Sequence, residues 1–349
     1  MTAAGAPPTP APTSLGASRA RVCTAVAGTN IALVKYWGKR DPALNLPATG
    51  SVSLTLRELG TRTTVRFVEG AGADSVRLGD VPTDDRVAAR VRQFLDRVRQ
   101  QAGITSRAEV TTENSVPTAA GLASSASGFA ALALAATRAA GLTLPPPALS
   151  ALARLGSGSA ARSIFGGFVE MARGTRPDGS DAFAHPLDEA TTWDVRLVVA
   201  VTAVGEKALG STAAMERTAR TSPFYPAWIT ANESDIGAAR EAILARDLER
   251  LGTVMERSAL RMHATAMAAD PAVIYWNGAT MSAMHAVLEL RAAGTPAYFT
   301  IDAGPHVKVL CRSGDAPKLA ELLAAIPGVS RTMIAAPGPG AHVVEEEAA

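Results

Sequence analysis

The chain has 349 residues, 47% hydrophobic and 19% charged, with 34 Lys plus Arg against 32 Asp plus Glu for a formal net charge of +2. That length suggests about two domains of roughly 150 residues each. The composition excludes a disordered chain, and the near balance of charge argues against a protein that coats nucleic acid. The two cysteines, Cys23 and Cys311, and the five scattered histidines form no disulfide framework and no zinc cluster, which fits a reducing cytoplasm.

Residues 1–19 carry Pro7, Pro8, Pro10 and Pro12 and no apolar core, so they read as a disordered tail rather than a signal peptide. Short β-type runs follow at Arg21–Ala27, Ile31–Lys35, Val52–Leu56, Thr63–Val68 and Ser75–Leu78. Val87, Val91, Phe94, Leu95 and Val98 recur at helical spacing, with Thr83 placed to cap that helix. A strand at Arg107–Thr111 leads into an uncharged stretch from Asn114 to Thr137. It is long enough to span a bilayer, but its first half is too polar and turn-rich, so no membrane segment is expected. An Ala/Leu helix runs from about Ala123 to Ala140, where Gly141 can end it, and a short helix near Leu149–Leu155 precedes a Gly-Ser-Gly-Ser run.

Beyond residue 190 the pattern changes. Val195–Thr202 reads as a buried strand, followed by helices around 211–220, 224–244, 246–269 and 276–292. Strands at Ala297–Ile301 and His306–Leu310, a helix at Ala316–Ala325 and a strand at Ser330–Ile334 complete the pattern, with Glu345–Ala349 frayed. Strands and helices that mix without regular alternation predict an α+β fold. The boundary falls near residue 190, dividing the chain into 20–190 and 191–345.

Five segments carry chemistry. In Val116–Gly128, small residues precede a helix start, so backbone N–H groups and the positive helix end can receive phosphate, with Ser124 and Ser125 adding hydroxyls for phosphate or Mg²⁺. The GxxxxGK[ST] pattern is absent, so this is not a Walker loop. Taken alone, the loop fits a connector with a serine cap equally well. Thr29–Asp41 interleaves Lys35, Lys39 and Arg40 with Tyr36 and Trp37; if extended, it turns Lys35 and Lys39 to one face suited to an anion, or else it is a basic edge strand. Gly156–Ser163 holds Ser157, Ser159 and Arg162, the last suited to a carboxylate or phosphate. Asp302 ends an apolar strand before Gly304-Pro305, as a turn former or a base. Ser211 opens a helix, as a cap or an anion contact. Together these are the parts of phosphoryl transfer: a phosphate cradle, charge neutralisers and a base for an attacking hydroxyl.

The stretches NIALVKYWGKRDPALNLP, PTAAGLASSASGFAAL, GSGSAARSIFGGFVE and FTIDAGP resemble the mevalonate diphosphate decarboxylase family, within the superfamily of galactokinase, homoserine kinase, mevalonate kinase and phosphomevalonate kinase. The resemblance implies an N-terminal ribosomal-protein-like α+β domain, a C-terminal ferredoxin-like domain, and a homodimer. It implies ATP and Mg²⁺ over Gly121, Leu122, Ala123, Ser124, Ser125 and Ser127, with a Mg²⁺ contact at Ser124 or Ser125. The implied reaction phosphorylates the 3-hydroxyl of mevalonate 5-diphosphate and then releases phosphate and CO₂ to give isopentenyl diphosphate. Asp302 takes the position of the base, Lys35 that of its partner, and Arg162 that of the group fixing the substrate carboxylate. Asn30, Ser157 and Ser159 match pocket positions, and Tyr36, Lys39 and Ser211 match diphosphate positions.

The chain departs from the family pattern at Ala48-Thr49-Gly50, Gly210, His306 and Met171. Those departures leave room for a decarboxylase of mevalonate 5-phosphate, or for a 3-kinase without decarboxylation. An RNA-binding protein is a third class, but its one basic candidate, Arg86–Arg99, is broken by Asp96 and preceded by Asp84 and Asp85.

Overall fold

The computed structural model describes residues 21–115, 124–188, 193–202 and 209–348. Its first sheet is built on two long strands, β1 (Arg21–Val34) and β4 (Ser51–Val68); between them in sequence, the short β2 (Lys39–Asp41) and β3 (Leu46–Pro47) pair as a separate two-stranded sheet. Added to β1 and β4 in the first sheet are β5 (Ser75–Leu78), β6 (Val81–Pro82), β7 (Arg107–Asn114), β8 (Phe168–Met171) and β9 (Ala184–Asp188). The second sheet contains β10 (Val195–Val201), β11 (Ala297–Ile301), β12 (Val307–Arg312) and β13 (Arg331–Ala335). A last strand, β14 (His342–Ala348), returns to the first sheet, giving the order β14-β1-β4-β7-β5-β6, with β8 pairing β4 and β9 pairing β8.

The helices are α1 (Asp85–Ala102), α2 (Ser124–Ala139), α3 (Pro146–Gly156), α4 (Ala160–Ser163), α5 (Ser211–Thr221), α6 (Tyr225–Leu244), α7 (Leu248–Met267), α8 (Gly278–Ala292) and α9 (Ala316–Ala324). An eight-stranded sheet whose one parallel pair among the described residues is β5–β7 and an antiparallel four-stranded sheet, with helices set against both, make this an α+β protein, as expected.

Three differences from the sequence reading have physical causes. The two runs read in Arg21–Lys35 are one strand, carried through Gly28 by a register shift between Gly28 and Asn30. Gly28 is required there because a Cβ would run into the Leu56 carbonyl. The cap of α1 is Asp84, not Thr83: its carboxylate accepts from the Val87 N–H at 2.9 Å. Finally, residues 345–348 are not frayed. They pair with Arg21–Thr24 of β1, and Arg62 and Arg138 reach Glu345 and Glu346.

Burial alternates along the second sheet. Leu197, Val199 and Val201 face Ile31, Leu33, Val52 and Leu54 of the first sheet together with Leu251 and Met255 of α7. Val198 and Ala200 face the opposite way, with Phe299, Val307 and Val309, onto Met284 and Val287 of α8 and Leu319 and Leu323 of α9. A separate core lies between the far half of the first sheet and α1, α2 and α3, around Val65, Phe67, Phe94, Leu95, Ala131 and Leu152. The end of β1, the end of β11, α4 and α7 therefore converge where the two sheets meet.

Candidate functional site

At that convergence Lys35, one residue past β1, and Asp302, one residue past β11, form an ion pair with Nζ–Oδ1 of 2.6 Å. The same ammonium donates to the Ala32 carbonyl at 2.8 Å, and the Lys35 backbone N–H donates to Ser258 Oγ of α7 at 3.0 Å. Lys308 of β12 reaches the other carboxylate oxygen, Oδ2, at 3.1 Å. The two lysine side chains are only 2% and 4% exposed, whereas that of Asp302 is 29% exposed. The carboxylate thus has its cations on the buried side and an opening on the other.

Burial raises the Asp302 carboxyl, but the ammonium groups of Lys308 and Lys35 outweigh it and hold the group well below the usual carboxylate range. Burial pushes Lys35 down to about 8 against the pull of Asp302. His263 of α7 sits behind this pair, its Nε2–H donating to the Ile301 carbonyl at 3.2 Å. Burial, reinforced by Lys35, lowers it to about 3, so the ring is neutral at physiological pH.

Arg162 of α4 is the third buried cation. Its Nε donates to Asn30 Oδ1 at 3.1 Å and its Nη1 to Ser51 Oγ at 2.7 Å. Asn30 is fixed in turn by donating to Ser163 Oγ at 2.7 Å and the Ser159 carbonyl at 3.0 Å. Burial brings Arg162 down to about 10, opposed by Tyr36 and Asp302. Ser157 and Ser159 lie beside it, their hydroxyls 3.3 Å apart. The Tyr36 hydroxyl is buried without a hydrogen-bond partner among the described residues, and burial drives its ionisation well above the ordinary range. It lies against Gly158, where any Cβ would strike it.

Lys39 stands apart from this group. The backbone does not stay extended past β1, because Gly38 has φ 106° and packs directly on Tyr225. Lys35 therefore turns to Asp302, while Lys39 lies in the field of Glu216 and Arg90 and is lowered chiefly by burial. Ser211 is the first residue of α5, and the N-cap position before it is Gly210.

Gly121, Leu122 and Ala123 of the expected nucleotide loop lie outside the described residues, as does the Ser124 side chain. Ser125 is exposed in the first turn of α2. Ser127 faces inward: its hydroxyl is 2.7 Å from Thr61 Oγ1 and accepts from Thr29 Oγ1 at 3.4 Å. Of the departures, Gly50 is held by the Asn232 side chain at its carbonyl, and a Cβ there would lie 2.8 Å from Ile236 Cδ1. His306 Nδ1 accepts from the Thr202 N–H at 3.2 Å, tying the Asp302 turn to the end of β10.

Sequence reasoning missed Lys308, Ser258 and His263. A signal was present for the first: a lone lysine in the apolar strand Val-Lys-Val-Leu, six residues after Asp302. Chemically the assembly offers an ionised carboxylate at an opening, buried ammonium groups beside it, and a buried guanidinium, which suits moving a proton from a hydroxyl next to anionic groups.

Two family descriptions match the chain: "Diphosphomevalonate decarboxylase-like N-terminal domain" over residues 27–184 and "Mevalonate 5-diphosphate decarboxylase C-terminal domain" over residues 197–338. The chain is 35% identical over 324 residues to a diphosphomevalonate decarboxylase of Aspergillus fumigatus, covering 87% of this chain and 80% of that one. It is 33% identical over 309 residues to the human diphosphomevalonate decarboxylase, covering 82% and 76%. Among solved structures, the mevalonate diphosphate decarboxylase of Staphylococcus aureus superposes with a TM-score of 0.89 at 38% identity, covering 93% of this chain and 98% of that one. A complex of MDDEF with MVAPP, AMPPCP and magnesium superposes at 0.87 with 42% identity, covering 93% and 99%.

Proposed function

The chain belongs to the diphosphomevalonate decarboxylase family, and from that premise we propose which of its residues carry each step. The reaction is the ATP- and Mg²⁺-dependent decarboxylation of mevalonate 5-diphosphate. The observation that carries the assignment is the Asp302 carboxylate, open on one side and bracketed by Lys35 and Lys308 on the other.

Asp302 accepts the proton of the substrate's tertiary 3-hydroxyl, and the oxygen forms its bond to the γ-phosphorus of ATP as the bond to ADP breaks. Lys35 stabilises the charge on that oxygen. The C3–O bond then breaks with its electron pair leaving on phosphate, while the electrons of the bond to the carboxylate become the new double bond and CO₂ departs. Arg162, with Asn30 and Ser51 fixing its fork, would hold that carboxylate aligned for expulsion. Ser157 and Ser159 line the same wall. Tyr36, Lys39 and Ser211 receive the diphosphate, the buried and unpartnered Tyr36 hydroxyl supporting its share of that role. The first turn of α2 suits the nucleotide phosphates, and Ser125 would contact their Mg²⁺, which neutralises phosphate charge when bound.

The reading extends to organisation. A division near residue 190 is supported by the separation of the two sheets, with 342–348 joining the first. Two buried free cysteines support a cytoplasmic setting. A homodimer would cover some of the exposed apolar side chains, such as Ile274 and Phe224. Among the described residues no helix is long and apolar enough to cross a membrane.

The test is CO₂ release from purified protein with ATP and either mevalonate 5-diphosphate or mevalonate 5-phosphate. The diphosphate is expected to have at least about a tenfold higher kcat/KM, since a charge-assisted hydrogen bond to the added phosphate contributes about 1.5–3 kcal/mol. Lys39→Met is expected to erase most of that preference. Equal values for both substrates in the parent would overturn the diphosphate assignment.

A further inference from the structure

The geometry points to Lys308 as a positioning residue for the reaction: it anchors Oδ2 of Asp302 so that the carboxylate keeps one orientation toward the substrate hydroxyl, independently of Lys35. The inference rests on the reading of Asp302 as the base.

Three observations carry it. The first is register. In the β11–β12 hairpin Lys308 is paired with Thr300 and Val307 with Ile301, which places Lys308 two residues from Asp302 across the strand pair. Val307 and Val309 face the helices α8 and α9, so the pleat turns Lys308 to the opposite side, where the two sheets meet. The second is division of labour. Lys35 holds Oδ1 and Lys308 holds Oδ2, one ammonium per oxygen. Each carboxylate oxygen has two acceptor positions, so both retain one toward the opening through which Asp302 is 29% exposed. The third is cost. An ammonium 4% exposed is kept out of water only where a counter-charge receives it, and Asp302 is its only ion-pair partner among the described residues.

The arrangement solves a problem that Lys35 alone leaves. In the proposed mechanism Lys35 also serves the reacting oxygen, so its hold on Asp302 loosens at the moment when the carboxylate must be in place. Lys308, on a strand interior and directed at the other oxygen, keeps the rotamer fixed through that exchange. The charged and titratable groups around the carboxylate are Lys35 after β1, Lys308 on β12, Arg162 on α4, the neutral His263 on α7 and His306 in the following turn.

The experiment compares the parent with Lys308→Met and Lys308→Arg in full pH profiles of kcat and KM, alongside Asp302→Asn. Lys308→Met is expected to lose at least about tenfold in kcat at neutral pH, with KM for ATP and for the diphosphate within about threefold. The acidic limb of its kcat profile is expected to rise by about one pH unit or more, because burial of Asp302 is then opposed by one ammonium rather than two. Lys308→Arg, which keeps the charge, is expected to bring that limb back. If Lys308→Met does not fold, Lys308→Gln, similar in length but uncharged, carries the same expectation. A neutral variant with kcat within about twofold of the parent and an unmoved acidic limb would overturn the inference. So would Met and Arg variants that lose kcat equally with no movement of the limb, which marks a packing role. Retention of most activity by Asp302→Asn would instead overturn the assignment of the base.

Discussion

Raising the pH through 8 should separate two effects of Lys35 that neutral pH conceals. Its ammonium is buried and falls from 10.5 to about 8, chiefly through lost hydration. Activity needs the charged form beside the reacting oxygen, so kcat is expected to decline on a basic limb centred near 8. Stability moves the other way. Below pH 8 Lys35 is protonated in both the folded and unfolded states, and the fold bears the cost of burying the charge. Between about 8 and 10.5 the unfolded chain binds the proton and the folded protein does not, so this group's contribution to stability rises with pH. The fall from 10.5 to about 8, at about 1.4 kcal/mol per pH unit, makes that rise about 3–4 kcal/mol. Urea midpoints of the parent and Lys35→Met between pH 7 and 10.5 isolate it, since other titrating groups are shared and cancel. The gap between the two proteins should change by about 3–4 kcal/mol in favour of the parent as pH rises. A gap that stays constant across that window, or a kcat that stays flat to pH 10, would show that Lys35 does not titrate there.

Asp302→Asn is expected to lower kcat by about 10²–10⁴ while calorimetric binding of ATP and of the diphosphate persists, because the side-chain shape is kept and only the base is lost. Gly158→Ala drives a methyl into the Tyr36 ring and hydroxyl, so a loss of about 1–3 kcal/mol in thermal or urea unfolding and a raised KM for the diphosphate are expected.

The segments around Asn30–Asp41, Gly156–Ser163 and Phe299–Pro305 were legible because their polar residues interrupt apolar or glycine-rich surroundings. Their assembly was not. That Lys35 turns to Asp302 while Lys39 does not depends on the φ of Gly38, a backbone property that composition does not display. Lys308 stands out as a lone lysine in an apolar strand, but only the pairing of Thr300 with Lys308 places it on the carboxylate. The helices of the second half were marked by long periodic runs, whereas β8 and β9 were not: the four residues of β8 are all buried and show no alternation, and Pro186 interrupts the run in β9. Glu345–Ala349 is rich in glutamate and reads as frayed, yet residues 345–348 pair with β1 and Glu346 meets Arg138.

The pairing of β14 with β1 also sets an order of events during synthesis. Arg21–Val26 leaves the ribosome more than 300 residues before His342–Ala348, the strand that covers its outer edge. Until then one side of the sheet offers a row of free backbone N–H and C=O groups to any extended segment nearby. The stretch joining β13 to β14 lies on β4 through the Gly338 N–H to Thr55 and the Arg57 N–H to Ala336, so the final strand is guided into place rather than left to search. A chain stopped short of residue 342 would keep its hydrophobic cores almost whole and still present that open edge. Its characteristic failure would be association with other nascent chains rather than loss of secondary structure.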